Sequence, residues 1–314
     1  MTFQWHANPS CVDTLSYKAQ VVAPRPVGAM RVVRASHLGM CFGVRQAIAR
    51  VQRAAAREPL TVLGDLVHND TVRQRLDALG VRFGGGIGDV QTSAVAITAH
   101  GASGRRRAAL RESGLRVLDA TCPLVRSAHR AVLALACDGF HPVIVGARGH
   151  VEVRGLTEDL DAFDVVLTPE DVAALAPRPR FGIAAQTTQP IERVRELAAL
   201  IRRRFPRSEV RVAETVCVPT RLRQEAATAL AAQCDVVVVV GGARSNNSRE
   251  LCATCARHCG RVHLLQGAGD LRPEWFEGAE VAGLTAGTST PDDVIDAVEA
   301  RMRDIAKGGA SPWA

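Results

Sequence analysis

Three of the nine cysteines in this 314-residue sequence occupy equivalent local positions and could together bind a soft metal centre. Cys41 lies in HLGMCFGV, Cys122 in LDATCPLV and Cys217 in AETVCVPT, each between a β-branched run and an amphipathic helical stretch. A thiol at a helix start feels the positive end of the helix dipole, which lowers its pKa and favours the thiolate. Three thiolates converging from separate parts of the chain form a ligand set for such a centre.

The spacing of these cysteines leaves the type of centre open. Structural zinc usually takes four ligands with closely spaced cysteine pairs, which these three residues are not. A [4Fe–4S] cluster held by three cysteines leaves one iron open to bind substrate, although most such clusters have four cysteine ligands. Buried cysteines are also common simply as small hydrophobic residues.

Three histidines follow apolar runs at points where strands are expected to end. They are His68 in VHND, His100 in TAHG and His150 in RGH. Open α/β sheets bind ligands at the carboxyl ends of their strands. A single histidine there is more often a loop or capping residue, but three at equivalent points would supply donors for an anionic group such as a diphosphate.

Further polar residues stand at predicted helix starts. Ser245, Asn246 and Asn247 follow a strand that ends in two glycines, and Ser289 lies in AGTSTPDD. Serine and asparagine there are first of all capping residues, yet the same groups also bind anions.

Two further polar residues stand near predicted helix starts. Glu152, two positions after His150, fits an ordinary first-turn helix carboxylate. Thr187 in AQTT fits a helix cap before Pro190.

Short β-branched runs alternate with helical stretches along most of the chain, which predicts an α/β fold with mainly parallel sheets. The recurrence of one cysteine at a strand-to-helix junction predicts three similar small units arranged around a common centre. The expected boundaries are an N-terminal extension, three units and a tail: 1–30, 31–122, 123–217, 218–302 and 303–314. The first strand, at about 31–38, is a candidate to pair with the third unit, and we expect the extension to be poorly ordered.

Composition excludes several other classes of protein. The longest aliphatic run, Val236 to Val240, is far shorter than a membrane span, and no secretory signal pattern is evident, so we expect a cytoplasmic protein that does not contact a membrane. One tyrosine and three tryptophans give no stacking platform for nucleic acid. The net charge of +7 favours an anionic substrate or an acidic protein partner. No G-x-G-x-x-G sequence follows a strand, which argues against a nicotinamide cofactor.

The sequence resembles the 4-hydroxy-3-methylbut-2-enyl diphosphate reductase (IspH/LytB) family from about residue 31 to 302. The resemblance is carried by nine segments in order: GMCFGVRQAI, LGDLVHNDTV, ITAHGAS, DATCPLV, GHVEVRG, AQTT, ETVCVPTRLRQEA, VVGGARSNNS and TAGTSTP. It implies three α/β domains around one [4Fe–4S] cluster with three cysteine ligands and one open iron. The implied reaction removes the hydroxyl of an allylic diphosphate with two electrons and two protons, giving isopentenyl and dimethylallyl diphosphates. This is the last step of the methylerythritol phosphate pathway, with a ferredoxin or flavodoxin as the expected electron donor.

The resemblance also assigns roles to individual residues. Glu152 would protonate the leaving hydroxyl and then the allylic intermediate, which needs a partly desolvated carboxyl group. Thr187 would hold the substrate hydroxyl and relay the proton, and His150 would contact the substrate. The cluster ligands would be Cys41, Cys122 and Cys217. The expected substrate-binding residues are His68, His100, His150, Thr187, Ser245, Asn246, Asn247 and Ser289.

Three positions depart from the family pattern. Asn246 stands where the family has serine, which puts the substrate fit in doubt. Val151 replaces the usual proline before Glu152, from which we expect a looser loop, and Phe42 replaces a small residue. Two alternatives therefore stay open: a paralogous iron–sulfur reductase with another substrate, and a non-catalytic iron–sulfur or zinc sensor. A sensor would not need Glu152 and Thr187.

The other cysteines carry weaker expectations. Cys252, Cys255 and Cys259, with His263 beyond them, have a spacing that would place three thiols on one helical face and suggests a second metal site. A stripe of small core residues explains the same spacing. Structural roles are expected for Cys11, Cys137 and Cys234.

Overall fold

The structure, a computed structural model, describes residues 30–308 and contains three four-stranded parallel sheets. This confirms the predicted fold class of three small α/β units. Cys11, the expected disorder of the extension, and the end of the tail lie outside the described residues. Within residues 30–308, no helix is long and apolar enough to cross a membrane.

The first sheet has the strand order β3-β2-β4-β5. It follows an initial strand, β1 (Arg31–Arg34), that belongs to the third sheet. The elements of unit 1 are α1 (Phe42–Ala55), β2 (Leu60–Leu63), α2 (Asp70–Asp77), β3 (Arg82–Gly84), β4 (Ala94–Ile97), α3 (Gly104–Glu112) and β5 (Arg116–Asp119).

The second sheet repeats the same arrangement, with the order β7-β6-β8-β9. The elements of unit 2 are α4 (Pro123–Cys137), β6 (His141–Val145), α5 (Val151–Thr157), β7 (Asp164–Val166), α6 (Pro169–Ala173), β8 (Arg180–Ala185), α7 (Ile191–Arg204) and β9 (Glu209–Val212).

The third sheet has the order β1-β12-β10-β11, so the first strand of the chain pairs in parallel with the last. The elements of unit 3 are α8 (Val218–Ala231), β10 (Val236–Val240), α9 (Asn246–Ala256), β11 (Val262–Leu265), β12 (Val281–Ala286) and α10 (Asp292–Ala306). α10 continues to Ala306, so the expected boundary at 302 falls inside this helix.

The strand β10 illustrates how a continuous run of β-branched residues forms a central strand of a buried parallel sheet. All five of its valines are fully buried, and alternate side chains enter two different core clusters on the two faces of the sheet. A parallel sheet covered on both faces is built from such continuous β-branched runs. Because the strands are parallel, their carboxyl ends lie at one edge, and the loops that follow them carry the site residues.

The main differences from the sequence expectations concern short elements. The strands β3 and β9 contain charged residues such as Arg82 and Glu209 and show no continuous β-branched run, so the alternation along the sequence does not mark them. The helices α5 and α6 have only seven and five residues, too few to give a clear helical periodicity.

Candidate active site

The first residues of three helices bring three thiols to one cavity. Cys41, Cys122 and Cys217 are the N-cap residues of α1, α4 and α8, and none of their side chains caps its own helix. All three line the same cavity. The Cys217 thiol lies 3.1 Å from the Thr220 hydroxyl, one helical turn further on.

Gly43 allows the loops of Cys41 and Cys122 to approach each other closely. A Cβ atom on Gly43 would collide with the Cys122 Sγ. Any larger residue would therefore push α1 away from the Cys122 thiol. The glycine in MCFGV thus lets the start of α1 lie against this thiol.

The thiol pKa values differ from the sequence expectation. Burial raises the pKa of Cys122, and it raises that of Cys217 to about 11. Backbone amides of Leu124 and Val125 at the start of α4 lower the pKa of Cys122, as the dipole argument predicts, but their effect is smaller than that of burial. The expectation that the helix starts alone would favour thiolates is therefore wrong for these two residues.

A soft metal centre fits this donor set. Three sulfur atoms converge without side-chain caps, and two of them need a positive partner to become thiolates in a buried place. A metal supplies that charge and deprotonates its thiol ligands. The residues present thus match an iron–sulfur centre held from three helix starts.

The three predicted histidines form a compact cluster beside the thiols. The rings of His68 and His100 are stacked at 4.5 Å between centroids, and His150 meets both rings edge-on at 5.3 Å. One ring nitrogen from each lies within 4.8 Å of the others, a spacing that would also suit a metal ion. The His68 Nδ1 and His100 Nε2 atoms are buried without a hydrogen-bond partner.

Burial keeps these imidazoles neutral in the free protein. It lowers the pKa of His150 to about 4 and that of His100 well below its usual value, with further lowering by the neighbouring histidines. Burial also lowers the pKa of His68, although nearby Asp65 acts in the opposite direction. The His150 Nδ1 accepts a hydrogen bond of 3.1 Å from the Glu152 backbone N–H, so the neutral ring carries its proton on Nε2.

Glu152 is a buried carboxyl group that can hold a proton near neutral pH. It is the second residue of α5, its side chain is almost fully buried, and burial raises its pKa to about 7. The Thr187 backbone N–H donates to Glu152 Oε1 at 2.6 Å, which limits the rise. Val151, which stands where the family has proline, is the first residue of α5, and His150 is the N-cap of this helix.

The start of α9 presents several buried polar groups to the same cavity. Ser245 is the N-cap, and its hydroxyl accepts from the Ser248 backbone N–H at 3.3 Å. Asn247 Oδ1 accepts from Thr288 N at 2.9 Å, which leaves the Asn247 Nδ2 buried and without a partner. The Ser289 hydroxyl donates to the His68 carbonyl at 3.3 Å and so joins units 1 and 3.

Asn246 joins units 2 and 3 rather than pointing an unbonded amide into the cavity. Its Nδ2 donates to the Thr188 hydroxyl at 3.2 Å. One turn later on α9, Glu250 pairs at 2.6 Å with Arg193 of α7. Two contacts thus hold the start of α9 against the loop that carries Thr187.

The structure brings together every predicted site residue. The predicted residues that line the single cavity are Cys41, His68, His100, Cys122, His150, Glu152, Thr187, Cys217, Ser245, Asn246, Asn247 and Ser289. Neither Thr187 nor Ser289 is a helix cap, since Pro190 and Pro291 cap α7 and α10.

Sequence reasoning missed several neighbours of the site. Thr188, Thr220 and Thr288 also line the cavity, and each is adjacent or nearly adjacent to a predicted residue or segment. Arg223 is buried and donates to the Gly39 carbonyl at 2.7 and 2.9 Å, which ties α8 to the loop before Cys41. The one sequence signal for Arg223 is its position on α8, nearly two turns after Cys217.

Four of the other described cysteines pack in or against a hydrophobic core cluster. Cys255 and Cys259 are buried in a core cluster with Leu251 and Val239, and Cys252 packs against that cluster. α9 ends at Ala256, so Cys259 lies beyond the helix and the three residues do not share one helical face. Cys137 is exposed and Cys234 is half-buried.

Comparisons with known proteins agree with this geometry. The LytB protein family profile matches residues 32–303. Proteins named 4-hydroxy-3-methylbut-2-enyl diphosphate reductase from Geobacter metallireducens and Aquifex aeolicus are 35% and 36% identical over 88% of this chain, covering 98% and 97% of their own lengths. Among solved structures, the reductase from Plasmodium falciparum matches with a TM-score of 0.80 at 27% identity, over 86% of each chain. A second structure, described as the terminal enzyme of the non-mevalonate pathway, matches with a TM-score of 0.63 at 35% identity, over 88% of this chain and 99% of that one.

Proposed function

Because the chain belongs to the LytB protein family, we propose that it catalyses the reaction for which its relatives are named, the reduction of 4-hydroxy-3-methylbut-2-enyl diphosphate. The reaction replaces the allylic hydroxyl by hydrogen, using two electrons and two protons and releasing water. Isopentenyl and dimethylallyl diphosphates are the two products, because the proton can be added at either end of the allyl system.

The diphosphate is bound by hydrogen-bond donors from units 1 and 3. The imidazoles of His68 and His100 lie next to the Ser289 hydroxyl, which already contacts the His68 carbonyl. The unpaired Asn247 Nδ2 and the start of α9 with Ser245 complete an anion site, because helix starts present N–H groups and a positive dipole end. Neutral imidazoles donate one hydrogen bond each, and an approaching diphosphate raises their pKa and strengthens these bonds.

Unit 2 supplies the proton. Glu152, with a pKa of about 7, is partly protonated at neutral pH and is positioned by the Thr187 backbone N–H. Protonation of the leaving hydroxyl lets it depart as water, and the Thr187 hydroxyl orients the oxygen that receives the proton. His150, with its proton on Nε2, donates to the same region of the substrate.

The three cysteines would hold one [4Fe–4S] cluster. When bound, the cluster would supply one-electron transfers, and one of its iron atoms would have no protein ligand. Gly43 keeps the Cys122 thiol close to α1, and Arg223 holds the loop before Cys41 against α8.

A single observation carries this proposal: three half-buried thiols, an anion site and a carboxyl group with a pKa near neutrality line one cavity. A zinc or iron–sulfur sensor would need neither the anion site nor the carboxyl group. The test is anaerobic purification with iron and sulfide analysis, followed by turnover of the allylic diphosphate with a reduced viologen dye. Release of both isopentenyl and dimethylallyl diphosphates is expected. Protein with a full cluster that does not consume this substrate would contradict the proposed activity.

A further inference from the structure

The three cysteine-capped helices share a feature that the proposed reaction does not use. Each cysteine is followed four positions later by an arginine, so that C-x-x-x-R occurs at Arg45, Arg126 and Arg221. The backbone N–H of each arginine donates to the carbonyl of its cysteine, which places the three guanidinium groups in equivalent first turns. Their side chains are 52%, 42% and 33% exposed.

The charge of these helices is the reverse of what a helix start favours. A helix dipole attracts acidic residues to the first turn, and the first turns of α1, α4 and α8 contain none. Together the three helices contain seven arginines and one acidic residue, Glu225. Such an accumulation is unfavourable unless negative charge lies close to it.

The acidic groups of the protein itself offset this charge only in part. Arg45 pairs with Asp292, which is 59% exposed, and Arg221 lies 3.7 Å from Glu214, which is 81% exposed. Arg126 pairs with Asp119, which also accepts from Arg107. The ion pairs of Arg45 and Arg221 are exposed, and exposed ion pairs are weak and exchange partners at little cost. Asp119 is only 26% exposed, so the pair of Arg126 is better shielded from water.

Apolar residues are exposed at the same helix starts. Phe42 and Val218, the residues directly after Cys41 and Cys217, are 54% and 50% exposed, and Leu222 on α8 is 36% exposed. Pro123, directly after Cys122, is exposed as well. Since consecutive Cα atoms are about 3.8 Å apart, this apolar surface lies next to each thiol. We call the apolar residues Phe42, Pro123, Val218 and Leu222, together with the three first-turn arginines, the helix-start patch.

We propose that the helix-start patch is the docking surface for a small acidic electron-transfer protein of the flavodoxin or ferredoxin type. Exposed apolar residues next to arginines are typical of interaction sites, and transient redox complexes use small, electrostatically guided interfaces. Each encounter oxidises one reduced partner by one electron, and two encounters supply the two electrons that the dehydroxylation consumes. The proposal rests on the proposed function, because only a redox centre at the thiols needs a partner here.

The position of the patch suits electron delivery. Its residues belong to the same turns as the three thiols, so a protein seated on it brings its redox group close to the centre without entering the substrate cavity. The described residues that line the cavity include neither arginine nor lysine, so the positive charge is concentrated on the outer surface. An acidic protein is therefore attracted to the patch rather than to the diphosphate site.

The experiment measures binding of an oxidised, acidic flavodoxin to the anaerobic holoenzyme by the change in FMN fluorescence. The parent should bind with a Kd that weakens steeply with salt. The variant R45Q/R126Q/R221Q should bind about tenfold more weakly and with a flatter salt dependence, since each exposed pair contributes a modest amount. The variant F42S/V218S should weaken binding with an unchanged salt dependence. Viologen-driven turnover should match the parent in both variants.

Two control variants match these changes elsewhere on the surface. R202Q/R203Q/R207Q removes three exposed arginines at and just beyond the far end of α7, and Leu79→Ser removes an apolar side chain that is 54% exposed, like Phe42. Both should bind flavodoxin as the parent does. Equal Kd values for patch and control variants would overturn the proposal, as would a parent that binds neither flavodoxin nor a ferredoxin at low ionic strength.

Two further outcomes separate the possible failures. A parent that is dimeric, and that becomes monomeric in the patch variants with unchanged flavodoxin binding, would show that a second copy of the chain covers the patch. Failure of the proposed function would appear instead as a parent without viologen-driven turnover.

Discussion

Replacing Glu152 by glutamine tests the proton donor in two independent ways. The substitution removes the transferable proton but keeps the size of the side chain and its hydrogen bond from the Thr187 backbone N–H. Loss of general-acid catalysis typically lowers a rate by about 10²- to 10⁴-fold. We therefore expect kcat to fall within that range while the substrate Kd stays close to that of the parent, because the diphosphate donors belong to units 1 and 3.

The second readout is the pH dependence of stability. Burial raises the Glu152 pKa from 4.5 to about 7, so the folded state holds this proton more tightly than the unfolded state. The free energy of unfolding of the parent therefore decreases as the pH rises from 4.5 to 7, and above pH 7 the decrease totals about 3 kcal/mol, from 1.36 kcal/mol per pKa unit. Glutamine does not ionise, so the variant loses no stability in this way. The stability of the variant relative to the parent should rise by about 2 kcal/mol between about pH 5.5 and about pH 8.

The assay compares urea-denaturation midpoints of the anaerobic holoproteins, parent and E152Q, across this pH range. The buried histidines titrate in both proteins, so their contribution cancels in the difference. Glu225→Gln, which removes an exposed carboxyl group of α8, is the matched control and should show no such change. Turnover of E152Q within a few-fold of the parent would show that another group delivers the proton. A stability difference that does not change with pH would show that Glu152 does not titrate near neutrality.

Three further outcomes are expected at the same cavity. Changing Cys41, Cys122 or Cys217 to serine should abolish the iron–sulfur absorbance, whereas Cys255→Ser should retain it; a cluster that survives C122S but not C255S would reverse the ligand assignment. Asn247→Ala should weaken binding of the substrate diphosphate by about 10- to 150-fold, from about 1.5–3 kcal/mol for a hydrogen bond to a charged group, and leave binding of the corresponding alcohol unchanged; equal losses for both ligands would exclude the proposed anion site. Because burial lowers the pKa values of His68 and His100 and a bound anion raises them, diphosphate binding should take up protons and tighten as the pH falls toward 6; calorimetry in buffers of different ionisation enthalpy measures this uptake, and proton release would contradict the role of the histidines.

Long periodic elements and the site residues could be predicted from the sequence because each obeys a local rule. In α4 (Pro123–Cys137), for example, proline opens the helix and Val125, Ala128, Val132 and Leu135 form a buried stripe with helical spacing. The cavity residues follow strand ends or begin helices, and parallel topology brings such positions to one edge.

What the sequence could not provide depends on burial and on contacts between units. The high thiol pKa values and the pKa of about 7 for Glu152 both arise from desolvation, which a motif does not encode. Asn246 could be identified only as a departure from a family pattern. Its bond to Thr188 becomes visible when α9 is packed against the loop after β8. Short strands such as β9 are stabilised mainly by pairing with β8 rather than by their own propensity.

The three units divide the work of the site in a way that explains its electrostatics. Each unit gives one thiol from a helix start, unit 1 adds His68 and His100, unit 2 adds the proton donor, and unit 3 adds the start of α9. Anionic groups in the cavity are therefore bound by helix dipoles and neutral hydrogen-bond donors, which attract them less strongly than arginine or lysine would. A diphosphate product held in this way can leave without breaking a salt bridge. The fixed cations stand instead one turn along the same helices, at the surface.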